Sequence, residues 1–579
     1  MNKMILKLLS GRPLNHMLKA AAERPVSQKK LDGLLRNAEY EPLSALMMRK
    51  DLFSFIRMER AMFEQPEAVQ ETVLMEMVRA SENTVFGREH QFEEIRTVQD
   101  FRERVPLSEW SDYEAYSERL MSGESDVLFP GNAVFFYRTS GSTSANKEIP
   151  ESRREETARK AIAQARVLER ILTTSLSSIL KSFAFFERAD KEETESGIPI
   201  GSASGRTMNM NASRISKRLA YSPGLVDELS GEALLYTIMR CTLVFDDVTT
   251  ILGNNAWMMQ RLVDLAQAQA EEIIEDIRKG TNKYPLSDSL QEQEKAALRP
   301  NPRRADHLEK LFRTGRLIPK YYWPELRVAS FWLGGTVGVF ADRIRPLLPE
   351  KTVFLDVGYG ASEAKINIPM CPDTSAGPLS VFTSFFEFLP EDGSEPILAH
   401  QLEDGKVYEI ILTTYGGLYR YQIKDLVRVD GFTGRTPNIC FLSRNGDCGN
   451  LAQERVPGAL LLDVIRKAAA EASCGLRAAQ VYPDPEKLRY RVCVETDTEV
   501  SDCRALRTLI EDMLCEEHYG YSFCHEMFNP MSLVLMKGGW LEHLMEEHTK
   551  SGATGTHVKL PVMLKHMPEE EWIREEILA

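Results

Sequence analysis

Apolar positions recur at helical spacing through much of the first 130 residues, separated by polar connections. Two longer helical patterns follow, over 152–180 and 256–279. In the first, Ala158, Ile162, Ala165, Leu168 and Leu172 share one face, and Ser152-Arg153-Arg154-Glu155 reads as a capping box. Short apolar runs at 182–186 and 243–245 predict buried strands. The polar stretch 279–304 carries Pro285, Pro300 and Pro302 and reads as a surface excursion. Three segments then pair a strand-like run with glycines: 328–338, 352–363 and 407–417. After Phe441 the texture changes. Helical patterns at 459–472, 505–517 and 541–549 alternate with strand patterns at 488–494 and 532–535, which predicts a separate α+β unit of roughly 130 residues.

Size agrees with that division, because 579 residues exceed what one compact core accommodates. A net charge of −14 argues against a nucleic-acid partner or an anionic membrane surface. No run approaches the roughly 18 apolar residues of a membrane span, and Lys7 cuts the apolar start of the chain too early for a signal peptide. The nine cysteines include no C-x-x-C pair and read as reduced thiols; those from Cys440 to Cys524 have no zinc spacing and read as small buried apolar residues. The expected setting is the cytoplasm.

Candidate chemistry sits in four strings. In the first, the β-rich run 134–137 breaks into a hydroxyl-rich loop around Gly141, closed by Lys147 and followed by the helix from Ser152. Backbone N–H groups and hydroxyls of such a loop wrap phosphate oxygens while an ammonium offsets their charge. It is not a Walker loop, since Asn146 and Glu148 flank the lysine, and an ordinary Ser/Thr/Gly turn is the competing reading. The second string, Tyr359-Gly360-Ala361-Ser362-Glu363, follows a strand pattern at 353–357. A carboxylate there suits Mg²⁺ and an aromatic suits a nucleobase, although a surface turn would look the same. A serine-hydrolase elbow is excluded by Ala364 at its closing glycine.

The third string, 417–425, ends at Asp425 between strand patterns at 408–413 and 426–429. A carboxylate accepts from both hydroxyls of a ribose; the bland alternative is a turn in which Arg420 and Asp425 form a solvated pair. The fourth, 444–450, starts with Arg444 and reads as a hinge or a plain linker. His543 and His548 are five apart and cannot share a ligand face, and Gly334-Gly335-Thr336-Val337-Gly338 is not a dinucleotide fingerprint.

Taken in order, T-S-G-S-T-x-x-x-K, Y-G-x-S-E, Y-R-x-x-x-x-D and an Arg-led hinge resemble the adenylate-forming superfamily. The closer resemblance is to its acyl acid amido synthetases, the Gretchen Hagen family, which in plants join auxin or jasmonate to amino acids. Ser81-Glu82-Asn83-Thr84-Val85-Phe86-Gly87, Ser196-Gly197-Ile198-Pro199-Ile200-Gly201, Trp323-Pro324-Glu325-Leu326 and Thr556-His557-Val558-Lys559-Leu560-Pro561 are similar to that family too, so the likeness runs from about residue 80 to about 562. It implies an α/β fold: a large multi-layer domain of helix-flanked sheets over 1–443, a hinge at 444–450, and a smaller mobile α+β lid over 451–579. It implies ATP and Mg²⁺, with a carboxylic acid and an amine, an amino acid, as partners.

Residue by residue, the resemblance places Ser140, Gly141, Ser142, Thr143 and Lys147 on the phosphates. It places Gly334 and Gly335 along the adenine, Tyr359 on the base, and Ser362 and Glu363 toward phosphate and Mg²⁺. Asp425 falls on the ribose, Arg444 at the hinge, and Lys559 swings in from the small domain during adenylation. Aromatics for the acid pocket are available in Phe183, Phe185, Phe186, Phe331 and Trp332, for most of which a core role is the stronger expectation. Departures are Ser144 and Lys424 where the family pattern has Gly, Gln453-Glu454-Arg455 for Gly-Glu-Lys, and His557 for Gln, which leave altered kinetics, an unusual substrate or lost activity open; the loop spacing, which differs from that of plant members, implies a bacterial-type member. A thiol acceptor such as coenzyme A, or a relative that binds without turnover, are the alternative readings.

Overall fold

The computed structural model describes residue 20 and residues 26–578, apart from 38–40, 50–51, 139–146, 186–189, 204, 207–217, 254–255, 335–338, 392, 394, 445–447, 450, 452–455, 499, 501, 519–520, 523–524, 526–527 and 551–559. The chain forms two compact units. One comprises Met1–Leu333, Phe340–Ile423 and Arg428–Cys440; the other comprises Gly334–Val339, Lys424–Val427 and Phe441–Ala579.

Among the described residues, the first unit is built on three sheets. Strands β1 (Phe135–Arg138) and β2 (Glu148–Glu151) pair as an antiparallel hairpin, joined by β4 (Asp190–Glu193) and β5 (Pro199–Gly201) in the order β2-β1-β5-β4. Strands β3 (Ser182–Ala184), β6 (Thr250–Leu252), β7 (Val328–Phe331) and β8 (Val353–Asp356) run parallel. Phe183, Ile251, Val328, Ala329, Phe331 and Phe354 are all buried, the near-continuous apolar character expected of parallel strands. The third sheet has the order β11-β10-β12-β13-β14-β9, with β9 Gly377–Pro378, β10 Ser384–Pro390, β11 Ile397–Leu398, β12 Val407–Thr414, β13 Tyr421–Thr433 and β14 Thr436–Arg444.

A helix of 21 residues, Arg153–Thr173, buries Ala158, Ile162, Ala165 and Leu168 along one face. Its start is half of the expected capping box. The Ser152 hydroxyl accepts from the Glu155 amide at 3.0 Å, but the Glu155 carboxylate turns to Arg159 Nε at 2.9 Å. The turn from β12 to β13 is anchored by helical segments near the N-terminus. Tyr113 Oη donates to the Tyr419 carbonyl and accepts from its amide, each at 2.8 Å, and the Tyr419 ring stacks on Phe86 with centroids 4.7 Å apart. Gly417, at φ 86°, makes that turn where a Cβ would lie 2.5 Å from the Leu128 side chain.

The second unit carries the short pair β15 (Cys448–Gly449) and β16 (Val456–Pro457) and the sheet β17-β18-β19-β20, at Leu476–Asp484, Arg489–Thr496, Ser532–Met536 and Ile573–Ile577. Strands β18 and β19 are parallel, and the helix Cys503–Glu517 makes the crossover between them. That helix and Gly458–Glu471 share one core with the sheet through Leu461, Ile465, Val492, Ile510 and Leu533.

Several local expectations are corrected. The run 243–245 is no strand: Leu243 ends the helix Gly231–Leu243, and the strand lies at Thr250–Leu252. A three-residue apolar run carries no periodicity, so length alone cannot separate the two states. The pattern 256–279 is two helices, Ala256–Ala268 and Ala270–Lys279, broken at Gln269. The polar stretch 279–304 holds the helix Asp288–Gln293 and buries Leu290 and Ala297, because Arg240 draws the carbonyls of Thr281 and Ala297 inward at 2.7 and 2.6 Å. Among the later cysteines, Cys474 and Cys493 are buried, whereas Cys440, Cys448, Cys503 and Cys515 are only half-buried. Among the described residues, no helix is long and apolar enough to cross a membrane.

Candidate functional site

In an open parallel sheet, ligands collect at the carboxyl ends of the strands, where the connecting loops expose backbone groups. The turn after β8 carries Tyr359, Ser362 and Glu363 at that edge of the sheet β3-β6-β7-β8. Tyr359 is buried, with its amide donating to Asn367 Oδ1 at 2.7 Å and its carbonyl accepting from Arg166 Nη2 at 3.1 Å. Gly358, just before it, has φ 91°, and a Cβ there would stand 2.3 Å from the Arg166 guanidinium. Glu363 is 3% exposed, and its Oε1 is buried with no hydrogen-bond partner. An orphaned carboxylate oxygen is costly unless a cation or donor arrives.

Ser140, Gly141, Ser142, Thr143 and Ser144 lie outside the described residues. The hairpin that carries their loop, β1 and β2, is described, and Lys147 at its exit donates to Tyr421 Oη at 3.0 Å. Beneath the hairpin lies a buried charged network that sequence reasoning did not single out. Glu151 is fully buried, accepts from Tyr137 Oη, and pairs with Arg206 Nε at 3.0 Å. Arg159 lies with its Cζ 4.2 Å from the Tyr137 ring centre, pairs with Glu155 at 2.9 Å, and approaches Glu151 at 3.8 Å. From there its Nη2 donates to the Ser362 carbonyl at 2.6 Å.

One guanidinium therefore connects the β1–β2 hairpin with the turn that bears Glu363. Burial pushes the Glu155 carboxyl up to about 7, against the pull of Arg159 and with the help of Glu151. The only sequence signal for this network was Glu155 and Arg159 one helical turn apart.

Gly334, Gly335, Asp425, Arg444 and Lys559 belong to the second unit. Gly334 is described and buried, and Gly335 is not described. Asp425, 1% exposed, lies within the continuous strand β13 rather than between two strands. The solvated pair with Arg420 does not form, since Arg420 is buried and binds Glu387 through Nε at 2.9 Å and the Val105 carbonyl through Nη1 at 2.9 Å. Arg444 ends β14, and most of the 444–450 stretch, with Lys559, lies outside the described residues. Of the aromatics proposed for an acid pocket, Phe183 and Phe331 are core residues, Phe183 packing on Trp323 with centroids 5.6 Å apart. Phe185 and Trp332 are half-buried, and Phe186 is not described. Among the described residues, no group of three His, Cys, Asp or Glu side chains gathers as metal ligands.

A large α/β unit of layered sheets with a smaller α+β unit is the fold of adenylate-forming enzymes. The structure superimposes on the GH3.15 acyl acid amido synthetase with a TM-score of 0.76 at 18% identity, covering 90% of this chain and 97% of that one. More narrowly, the chain belongs to the GH3 family: the GH3 family N-terminal domain matches residues 56–353 and the GH3 family central domain matches 378–444. Relatives from Arabidopsis thaliana include the 4-substituted benzoates-glutamate ligase GH3.12, 24% identical over 86% of this chain and 93% of that protein. They also include the probable indole-3-acetic acid-amido synthetase GH3.1, 20% identical over 93% of this chain and 96% of that protein. These plant relatives give no support to the expectation of a bacterial-type member.

Lys424, which stands where the family pattern has Gly, adopts φ 63°. A side chain pays about 1–3 kcal/mol to sit there, and glycine does not. Lys424→Gly should therefore melt at or above the wild-type temperature. Lys424→Val, whose branched Cβ fits that backbone worst, should be destabilised by about 1–3 kcal/mol; parallel thermal melts check the order, and equal melting would show the backbone unstrained.

Proposed function

We propose that this protein is an ATP-dependent ligase that activates a carboxylic acid as its acyl-adenylate and transfers the acyl group to an amine, an amino acid, forming an amide. Membership of the GH3 family carries the reading. Lys147, Ser362, Glu363 and Asp425, the side chains the chemistry calls for, are all present. A carboxylate oxygen attacks the α-phosphorus of ATP and expels pyrophosphate. The amine nitrogen then attacks the acyl carbon, loses its proton, and expels AMP. No acyl-enzyme nucleophile is needed, so catalysis rests on positioning and on neutralising charge.

In this scheme the loop 140–143 and Lys147 hold the phosphates, Gly334, Gly335 and Tyr359 border the adenine, and Asp425 accepts from the ribose hydroxyls. Glu363 suits Mg²⁺, because its buried Oε1 has no protein partner and hard cations prefer carboxylate and phosphate oxygens. The ion would supply charge neutralisation at the phosphates. We assign residues 1–443 to the large domain, 444–450 to a hinge that starts at Arg444, and 451–579 to a lid carrying Lys559.

The deciding experiment is ATP–pyrophosphate exchange across a panel of carboxylic acids, followed by product analysis with amino acids or coenzyme A supplied. Amide product supports the reading, thioester product replaces it, and ATP binding without exchange on any acid identifies a non-catalytic relative. In a folded protein, Lys147→Ala and Asp425→Ala should each slow exchange by roughly 30- to 1,000-fold, the effect of losing about 2–4 kcal/mol of transition-state contact. Unchanged exchange kinetics would remove either residue from the site.

Glu363→Gln keeps the shape and one acceptor but loses the charge that holds a divalent cation. Its activity should require more Mg²⁺ than the wild type, and superimposable Mg²⁺ titrations would return Glu363 to a structural role.

Lys559 lies more than 100 residues beyond the proposed hinge, so it serves only one arrangement of the lid. Lys559→Ala should slow adenylate formation strongly while leaving transfer from supplied acyl-adenylate within a few-fold of wild type. Equal losses in both half-reactions would contradict a lid that alternates between them.

A further inference from the structure

The carboxylate of Asp356, the last residue of β8, spans two loops. Its Oδ2 accepts from the Leu333 amide at 2.6 Å, on the segment leaving β7 just before Gly334. Its Oδ1 accepts from the Gly358 amide at 2.5 Å, on the segment leaving β8 just before Tyr359. The side chain is 6% exposed. From the long helix, Arg166 bonds the carbonyls of Tyr359 and Asn367 at 3.1 and 2.7 Å, and the fully buried Asn367 takes the Tyr359 amide. Both ends of the Tyr359 peptide frame and the residue before it are thus fixed by buried polar side chains. We propose that Asp356, backed by Arg166, is a positioning residue for nucleotide recognition: it sets the spacing of the two loops that border the nucleobase and so governs affinity and selectivity for ATP.

This rests on the nucleotide reading given above. A carboxylate is required because two backbone donors converge on it from different loops. An amide offers one acceptor oxygen and turns its own N–H toward the second donor, so Asp356→Asn keeps shape and releases one loop. No atom of Asp356 is assigned to the reacting phosphates or acyl group.

The test uses the full-length enzyme in pyrophosphate exchange with its best acid. Asp356→Asn is expected to raise KM for ATP roughly 10- to 100-fold, to leave kcat and KM for the acid within about three-fold, and to narrow the preference for ATP over GTP. A purely structural role would lower the melting temperature and depress kcat while KM for ATP stays put, and that result overturns the proposal. If Asp356→Asn does not fold, Arg166→Met carries the test, since it removes the donors to both carbonyls; an unchanged KM for ATP there overturns it equally. A wild-type protein that neither exchanges nor binds ATP overturns the nucleotide reading itself, and this inference with it, whereas a working wild type with an indifferent Asp356→Asn overturns this inference alone.

Discussion

A single buried guanidinium, that of Arg159, is the joint on which the first unit's candidate site depends. It sits against the Tyr137 ring, pairs with Glu155, and reaches the Ser362 carbonyl. Glu151 adds balancing negative charge, which it shares with a second guanidinium, that of Arg206. Removing one partner of such a pair leaves an uncompensated charge and costs about 3–5 kcal/mol, while a well-packed apolar substitute for the whole cluster would often be neutral. Stability alone is therefore a weak account of why charge is buried here. The cluster's geometry offers a better one, because it ties the β1–β2 hairpin, the long helix and the Glu363 turn into one frame.

That frame explains why the chemistry-bearing segments of this unit lie on turns while their supports lie inside. Tyr359 and Ser362 are held through backbone groups by Arg166 and Arg159 from the long helix and by Asn367 from the same turn segment. A side chain that grips a carbonyl fixes the turn without competing for the ligand. The Glu363 oxygen left without a partner is the counterpart: the protein satisfies the backbone and leaves an acceptor open.

Periodic segments of the chain were legible because periodicity reports burial directly. The helices Gly458–Glu471 and Cys503–Glu517 and the strand Arg489–Thr496 all fall within a few residues of their patterns. Runs too short to show a period were not. Residues 243–245 look the same at the end of a helix as in a strand, and the capping box at Ser152 read correctly only for its serine because Glu155 had a stronger partner in Arg159. Arg420 was misread for a related reason. Its partner Glu387 lies 33 residues away, and no local pattern records a pairing across a sheet.

The candidate site was legible to the extent that its chemistry-bearing residues come in short strings and the residues that support them do not. Lys147, Ser362, Glu363 and Asp425 stand in recognisable spacings, whereas Asp356, Arg166 and Asn367 are scattered single residues whose meaning appears only when their hydrogen bonds are seen. Lys424 shows the same divide within one position. Read as a letter, it is a departure that puts the motif in doubt; seen at φ 63°, it keeps the backbone conformation that a glycine there would have made easy. Burial along β13 alternates without a break through Lys424, so Asp425 keeps its inward position beside the changed side chain. The substitution is therefore an argument about the cost of the conformation, and not against the motif.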